Sequence, residues 1–373
     1  MAARSELDAV IRALAPIERP PGSPGERRAA EWLAERLGGA RLETHPVHGG
    51  FWMPVGVLAA IAALGNRPMA AGAAVALVDE IDCGTYVTRR LLGRRKTAVN
   101  VVAERGDPEA PRTLVVMSHH DAAQSGLVFH SGPQRWIGRR FPSLIENNDT
   151  AAPLWWPVVI GAGLAALGGR RLRRVGRLLC ATTALLMADI GRHKAVPGAN
   201  DNLTGVAVLT VLGDRLRDRP PRGLRVMLVS AGAEETLQEG IRGFAEKHFG
   251  ELPKETTWFL NIDSVGSPEL TLLEGEGPFV MRENTESFKG LVQRAADRAG
   301  VKLRRNMRAR TSTDSVVPLR AGYPTATLVS INEFKSIDNY HWPTDVPDNV
   351  NLDTVEQTLV LAEAVVREME ESE

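Results

Sequence analysis

The stretch "LRVMLVSAGAEETLQEG", residues 224–240, sets the reading of this chain. Its first half is a short apolar run, the pattern of a strand covered on both faces. Just beyond it stand two adjacent acids, Glu234 and Glu235. Like charges side by side repel, and partial burial makes each costlier. Either water solvates both, or a cation sits there. An isolated pair is a solvated loop, so the rest of the chain decides.

Other runs resemble the first. "TAVNVVAE", "TLVVMSH", "TWFLNID" and "TATLVSI" are short and rich in β-branched residues, and "ARLETHPV" is a further candidate strand. Amphipathic helices are predicted over 5–15, 24–38, 202–218, 238–249, 285–300 and 353–371. The second has Ser23 as N-cap, Pro24 in its first turn and a Gly-Gly stop. Strands alternating with helices indicate an α/β three-layer sandwich with a mostly parallel mixed sheet.

Composition narrows the function. Among 373 residues, Lys+Arg and Asp+Glu are both 45, which argues against nucleic acid as the main partner. Cys83 and Cys180 are the only cysteines, which excludes a disulfide framework and a thiolate zinc site. The start, "MAARSELDAVIRALAPIERP", lacks the apolar core of a cleavable signal peptide, so a cytoplasmic or membrane-associated location is expected.

Two segments break the α/β pattern. Residues 49–78 carry one charge, Arg67, and residues 151–169 carry none. The latter are followed by "RRLRRVGR" and a shorter apolar run. Each segment reads as two apolar helices joined by a Gly- or Arg-containing turn, with single runs near or below the roughly 20 residues that span a bilayer. The expected organisation is a catalytic domain of residues 1–48, 81–150 and 191–373, with apolar helical hairpins inserted at 49–80 and 151–190. The hairpins are expected to pack on each other, with close approach at Gly56, Ala59 and Ala63 and at Gly161, Gly163 and Ala166. Whether they span a membrane, form a membrane-surface contact with Trp155 and Trp156 at the interface, form a homo-oligomer contact or pack as a self-contained lid stays open, with shallow same-side attachment or oligomer burial preferred to full spanning.

The strand ends carry the chemistry. "TLVVMSHHD" ends in His119, His120 and Asp121, and "TWFLNIDSVG" in Asp263. "TATLVSI" runs on to "NYHWPTD" with His341, and Asp201 sits in the Gly/Asn-rich turn of "PGANDNLTG". Ligands of open α/β sheets bind beyond the carboxyl ends of the strands, so these residues should converge. Each alone has a bland reading: Asp201 as a helix cap, His341 as a loop histidine, His120 competing with His119. Together, two histidines and three carboxylates suit a pair of zinc ions with one bridging carboxylate, and one acid is left over as a base.

In order, "VVMSHHD", "GANDNLTGVAVL", "AEETLQEGIRGF", "LNIDSVG", "TSTDSVVPLRAGYPTATL" and "NYHWPTDVPDNV" resemble the two-zinc aminopeptidase family of zinc exopeptidase fold. That family includes bacterial leucyl aminopeptidases, glutamate carboxypeptidases and glutaminyl cyclases. The resemblance implies an eight-stranded mixed sheet and two Zn2+, with other divalent metals acceptable. It implies His119 and Asp263 on one zinc, Glu235 and His341 on the other, and Asp201 bridging. Glu234 would be the general base and Asp121 would orient His119. It also implies a metallo-exopeptidase, above all an aminopeptidase acting on peptides through a water activated by two zinc ions. A glutaminyl-cyclase-like acyl transferase, a carboxypeptidase and a non-catalytic membrane scaffold are the alternatives. The chain departs from the family at Thr313-Asp314-Ser315, where relatives read Ser-Asp-His, at Pro318, and at Gly240-Ile241.

Overall fold

The computed structural model describes residues 2–82, 84–150 and 153–371, so Cys83 and the first two residues of the second apolar segment lie outside it. Seven strands form the central sheet: β1 (Arg41–Val47), β2 (Lys96–Gly106), β3 (Thr113–His119), β4 (Arg225–Ala231), β5 (Thr257–Ile262), β6 (Glu269–Leu272) and β7 (Thr325–Ile331). Their order is β1-β2-β4-β3-β5-β7-β6. The four central strands, β4, β3, β5 and β7, run parallel, and the edges are antiparallel. The resemblance implied eight strands. Here the chain after β6 forms a separate three-stranded patch, Gly275–Glu276 with Arg282–Glu283 and Arg308–Ala309, and adds no eighth strand among the described residues.

Period-two alternation explains the layers. Val99, Val101, Leu114, Val116, Val226 and Leu228 face one side. There they meet α1 (Ala2–Leu14), α2 (Pro24–Leu37), the helix Thr204–Asp218, the helix Glu286–Ala299 and the C-terminal helix Leu352–Glu371. Their neighbours Val102, Val115, Met117, Met227 and Val229 face the other side, toward Ile241 and Phe244 of the helix Glu239–His248. Both faces are dry, which is why the central strands read as continuous apolar runs. Ser23 caps α2 as expected, accepting the Glu26 N–H at 3.1 Å. The parallel centre brings the carboxyl ends of β3, β4 and β5 to one edge, with His119 level with Ala231.

The apolar segments form α3 (Trp52–Leu64), α4 (Arg67–Ile81), α5 (Trp156–Leu167) and α6 (Arg170–Ile190). These share a core of their own, built on Val55, Leu58, Ala62, Leu77, Ala162, Ala165, Cys180 and Met187. Small residues set the spacing: a Cβ on Gly176 would lie 2.4 Å from the Gly161 carbonyl, and one on Gly56 would lie 3.0 Å from Met187 Cβ. Gly163 has nothing within 4 Å, so it takes no part in close approach. Trp155 is not at an outer interface. It is buried in the bundle, edge-on to Phe51 at 5.4 Å, because its ring fills the base of the apolar core. Trp156 donates to the Pro278 carbonyl at 2.9 Å, so it ties the bundle to the neighbouring loop. Among the described residues no helix is long and apolar enough to cross a membrane.

Candidate metal centre

Three chain segments converge at the sheet edge. His119 is the last residue of β3, Asp263 follows β5 directly, and Glu234 and Glu235 sit in a single tight turn after β4. The turn is bounded by Ala233 (φ 57°), Leu237 (φ 61°) and Gln238 (φ 64°), and Ser264 (φ 55°) and His341 (φ 49°) also lie in the left-handed region. Non-glycine residues seldom adopt this conformation, and it persists where surrounding contacts over-determine it, as at functional sites. Asp121 supplies part of that determination. Its two carboxylate oxygens accept the backbone N–H groups of Glu234 and Glu235, each at 3.0 Å.

Asp201 stands at the centre. Its Oδ1 lies 3.3 Å from His119 Nε2, and its Oδ2 lies 3.1 Å from His341 Nε2. Asp263 Oδ2 is 3.9 Å from His119 Nε2, and Glu235 Oε2 is 3.2 Å from His341 Nε2. Two candidate ligand sets follow, His119-Asp201-Asp263 and Asp201-Glu235-His341, each with ligand atoms within 4.8 Å of one another. They share only Asp201. His119 with Glu234 and Glu235 makes a third such group. Asp201 caps no helix: the following helix begins at Thr204, and the carboxylate turns to the histidines.

The charges fit a cation. Glu234, Glu235 and Asp263 are buried, and burial pushes each carboxyl above its usual range, Asp263 to about 6. For Asp201 burial acts in the same direction, but hydrogen bonding to His119 and His341 outweighs it and holds the carboxyl below the usual range. Buried Glu235 Oε1 has no hydrogen-bond partner. Nitrogen and oxygen donors on a buried, acid-rich wall suit divalent ions. The site opens into a cavity of about 530 Å³ that His119, Asp201, Glu234, Asp263 and His341 line.

Residues 182–366 match the model of peptidase family M28, a span that holds Asp201, Glu234, Glu235, Asp263 and His341. The chain carries the zinc-exopeptidase fold of peptidase family M28. Solved structures agree. LapB from Legionella pneumophila superposes with a TM-score of 0.59 at 12% identity, over 99% of this chain and 72% of its own. An aminopeptidase from Aneurinibacillus sp. strain AM-1 gives 0.58 at 14%, over 97% and 93%. A glutaminyl cyclase from Fimbriiglobus ruber gives 0.56 at 14%, over 99% and 95%. No curated protein matches by sequence. The family match and the ligand clusters together make the chain a metallopeptidase, a hydrolase of exopeptidase type.

Within this M28 frame several residues gain a place that sequence reasoning did not assign. Asp345 is buried and holds the Asp201 turn by its backbone. Arg19 is fully buried and donates to the carbonyls of His120, Leu14, Ile17 and Pro197, so it joins the N-terminal segment to the end of β3 and the Asp201 loop. Its guanidinium is lowered to about 10 by that burial. Neither residue repeats a ligand pattern, and only their position in a quoted motif or a Pro-rich turn marked them. His120 turns away from the cluster, with Nδ1 2.9 Å from Ser230 Oγ. At the departure from Ser-Asp-His, Ser315 Oγ lies 3.0 Å from Thr313 Oγ1 and accepts from Thr327 Oγ1 at 2.8 Å, while Asp314 is buried with neither oxygen hydrogen-bonded.

Proposed function

We propose that the chain is an aminopeptidase that uses two divalent ions, most naturally Zn2+, to remove N-terminal residues from peptides. The observation that carries this reading is the position of Asp201, with one oxygen toward His119 and the other toward His341. His119 and Asp263 would hold one ion, Glu235 and His341 the other, and Asp201 would serve both. Bound there, the ions would supply Lewis acidity and lower the pKa of water.

The remaining steps belong to the chain. A water attacks the scissile carbonyl carbon, and the C–N bond breaks. Glu234 accepts a proton from the water and delivers one to the leaving amine. Its carboxylate is oriented by the Gln238 side-chain amide, which donates to Oε1 at 2.8 Å. Asp121 fixes the backbone of the same turn and faces His119 Nδ1, with Oδ1 3.4 Å away. The cavity has the size of a small-molecule pocket, so it suits a chain end rather than a folded protein. The four-helix unit adds a surface for a membrane or for a second copy of the chain.

The test is a metal count on the purified protein combined with a substrate panel. Two ions per chain and hydrolysis of aminoacyl amides, with N-blocked peptides left intact, support the reading. Release of residues from the carboxyl end, or cyclisation of N-terminal glutamine with one ion bound, would replace it by the carboxypeptidase or cyclase alternative.

A further inference from the structure

The tip of the four-helix unit carries a surface that the peptidase site does not use. The unit is rooted on the rest of the molecule at one end, where Trp52 Nε1 donates to Gln124 Oε1 at 2.7 Å and Asp189 Oδ2 accepts the Leu127 N–H at 2.7 Å. The two hairpin turns, Leu64–Arg67 and Leu167–Arg170, lie one helix length away, roughly 20 Å at 1.5 Å per residue. They sit side by side. Arg67 donates to the Gly168 carbonyl at 3.0 Å, and Arg177 donates to the Gly65 carbonyl at 2.7 Å.

Two features coincide at this tip. Leu64 and Leu167 are each 86% exposed, and Leu172, Val175 and Leu178 of α6 form an exposed stripe at three-residue spacing beside them. Around these residues stand Arg67, Arg170, Arg171, Arg173, Arg174 and Arg177, and residues 49–78 and 153–188 contain no acid. Among the described residues none of the six arginines pairs with a carboxylate. Arg170, Arg171 and Arg173 occupy the first turn of α6, at the positive end of the helix dipole, where cations are disfavoured, and Arg174 and Arg177 follow them closely. An anionic partner from outside relieves both the dipole and the mutual repulsion.

We propose that the tip is a docking surface for an anionic lipid bilayer, entered from one side. Leu64, Leu167 and the Leu172-Val175-Leu178 stripe enter the boundary between headgroups and acyl chains, and the arginines pair with lipid phosphates. The helices do not fit a spanning arrangement: α3, α4 and α5 have 13, 15 and 12 residues against the roughly 20 a bilayer requires, and α6, with 21, opens on an arginine-rich stretch and is not apolar enough. A second copy is a poorer occupant, because a two-fold contact would set like-charged arginines against each other.

The experiment is co-sedimentation of the full chain with vesicles of phosphatidylcholine, with and without phosphatidylglycerol. The expected result is binding about tenfold or more tighter to the anionic vesicles, weakening as salt is raised. Arg171→Glu/Arg174→Glu should abolish that preference, and Leu64→Ser/Leu167→Ser should weaken binding to anionic vesicles. Both double variants should keep the circular dichroism, the thermal midpoint and the hydrolysis of a soluble aminoacyl amide. Equal binding to both vesicle types, no binding, or binding unchanged by charge reversal overturns the proposal. So does a dimer in light scattering that the leucine variant dissolves and the arginine variant leaves intact. Loss of vesicle binding with peptidase activity intact separates the surface from the catalytic reading.

Discussion

Asp345 Oδ2 accepts the backbone N–H of Asp201 at 3.2 Å, and its Oδ1 accepts that of Asn200 at 2.7 Å. The carboxylate thus holds the turn that aims Asp201 at both histidines, and it lies four residues after His341 in the same loop. Partners that orient a ligand matter nearly as much as the ligand. Asp345→Ala is expected to lower metal affinity by about 10- to 100-fold. Metal titration of the apo-protein checks it, with circular dichroism to show that the fold is kept. Unchanged affinity would mean that the turn holds Asp201 without Asp345.

Glu234→Gln is expected to keep its metal and lose turnover by about 10²- to 10⁴-fold in kcat, the usual worth of a positioned base. The amide cannot accept the proton of the attacking water. Gln238 still faces the side chain, so the geometry survives the substitution. Activity within a factor of a few of the parent removes Glu234 from the base role.

Asp201→Ala is expected to release both ions together, while His341→Ala weakens mainly one. The reason is that Asp201 belongs to both candidate ligand sets, His119-Asp201-Asp263 and Asp201-Glu235-His341, whereas His341 belongs to one. Stoichiometry by metal analysis after dialysis decides between them. Loss of a single ion in Asp201→Ala would reject the bridging role.

The central strands and the main helices were legible because burial on both faces leaves a direct mark, whereas the four-residue edge strand β6 was not legible. Val115, Met227 and Phe259 pair across β3, β4 and β5 in three runs that are apolar in sequence. The convergence of His119, Asp201, Glu235, Asp263 and His341 was legible as well, since strand ends in a parallel sheet meet at one edge. Other features left no such mark. Arg19 is held by carbonyl oxygens, and carbonyls have no signature in a sequence. Trp155 reads like an interfacial aromatic, yet it packs against Phe51, a partner more than 100 positions away. The missing eighth strand reflects local pairing of the chain after β6, which single-sequence patterns do not resolve.

Acid should weaken the fold partly through Glu274. Burial would raise this carboxyl, but hydrogen bonds from Lys289, Arg305 and the Asn306 N–H outweigh it and bring it to about 2. The unfolded value is about 4.3. A depressed carboxylate contributes stability that is present above the unfolded value and lost as pH falls through the folded one. Glu274→Gln should therefore lower the denaturant midpoint near neutral pH and bring variant and parent closer together as pH falls from about 4.5 toward 2. A constant gap across that window would show that the Glu274 charge does not contribute.

The close approach of Gly161 and Gly176 should control the four-helix unit. A Cβ on Gly176 would meet the Gly161 carbonyl at 2.4 Å and the Ala165 backbone nitrogen at 2.7 Å, and neither backbone atom can swing aside. Gly176→Val is expected to push α5 and α6 apart and destabilise by about 1–3 kcal/mol, the usual cost of overpacking. Gly163→Ala is the control. Its Cβ would meet nothing within 4 Å, and alanine favours a helix interior over glycine by about 0.5–1 kcal/mol, so this variant should hold or gain stability. Denaturant titration of both proteins tests the pair. If Gly176→Val were as stable as Gly163→Ala, helix contact at Gly161 and Gly176 would not set the spacing of the bundle.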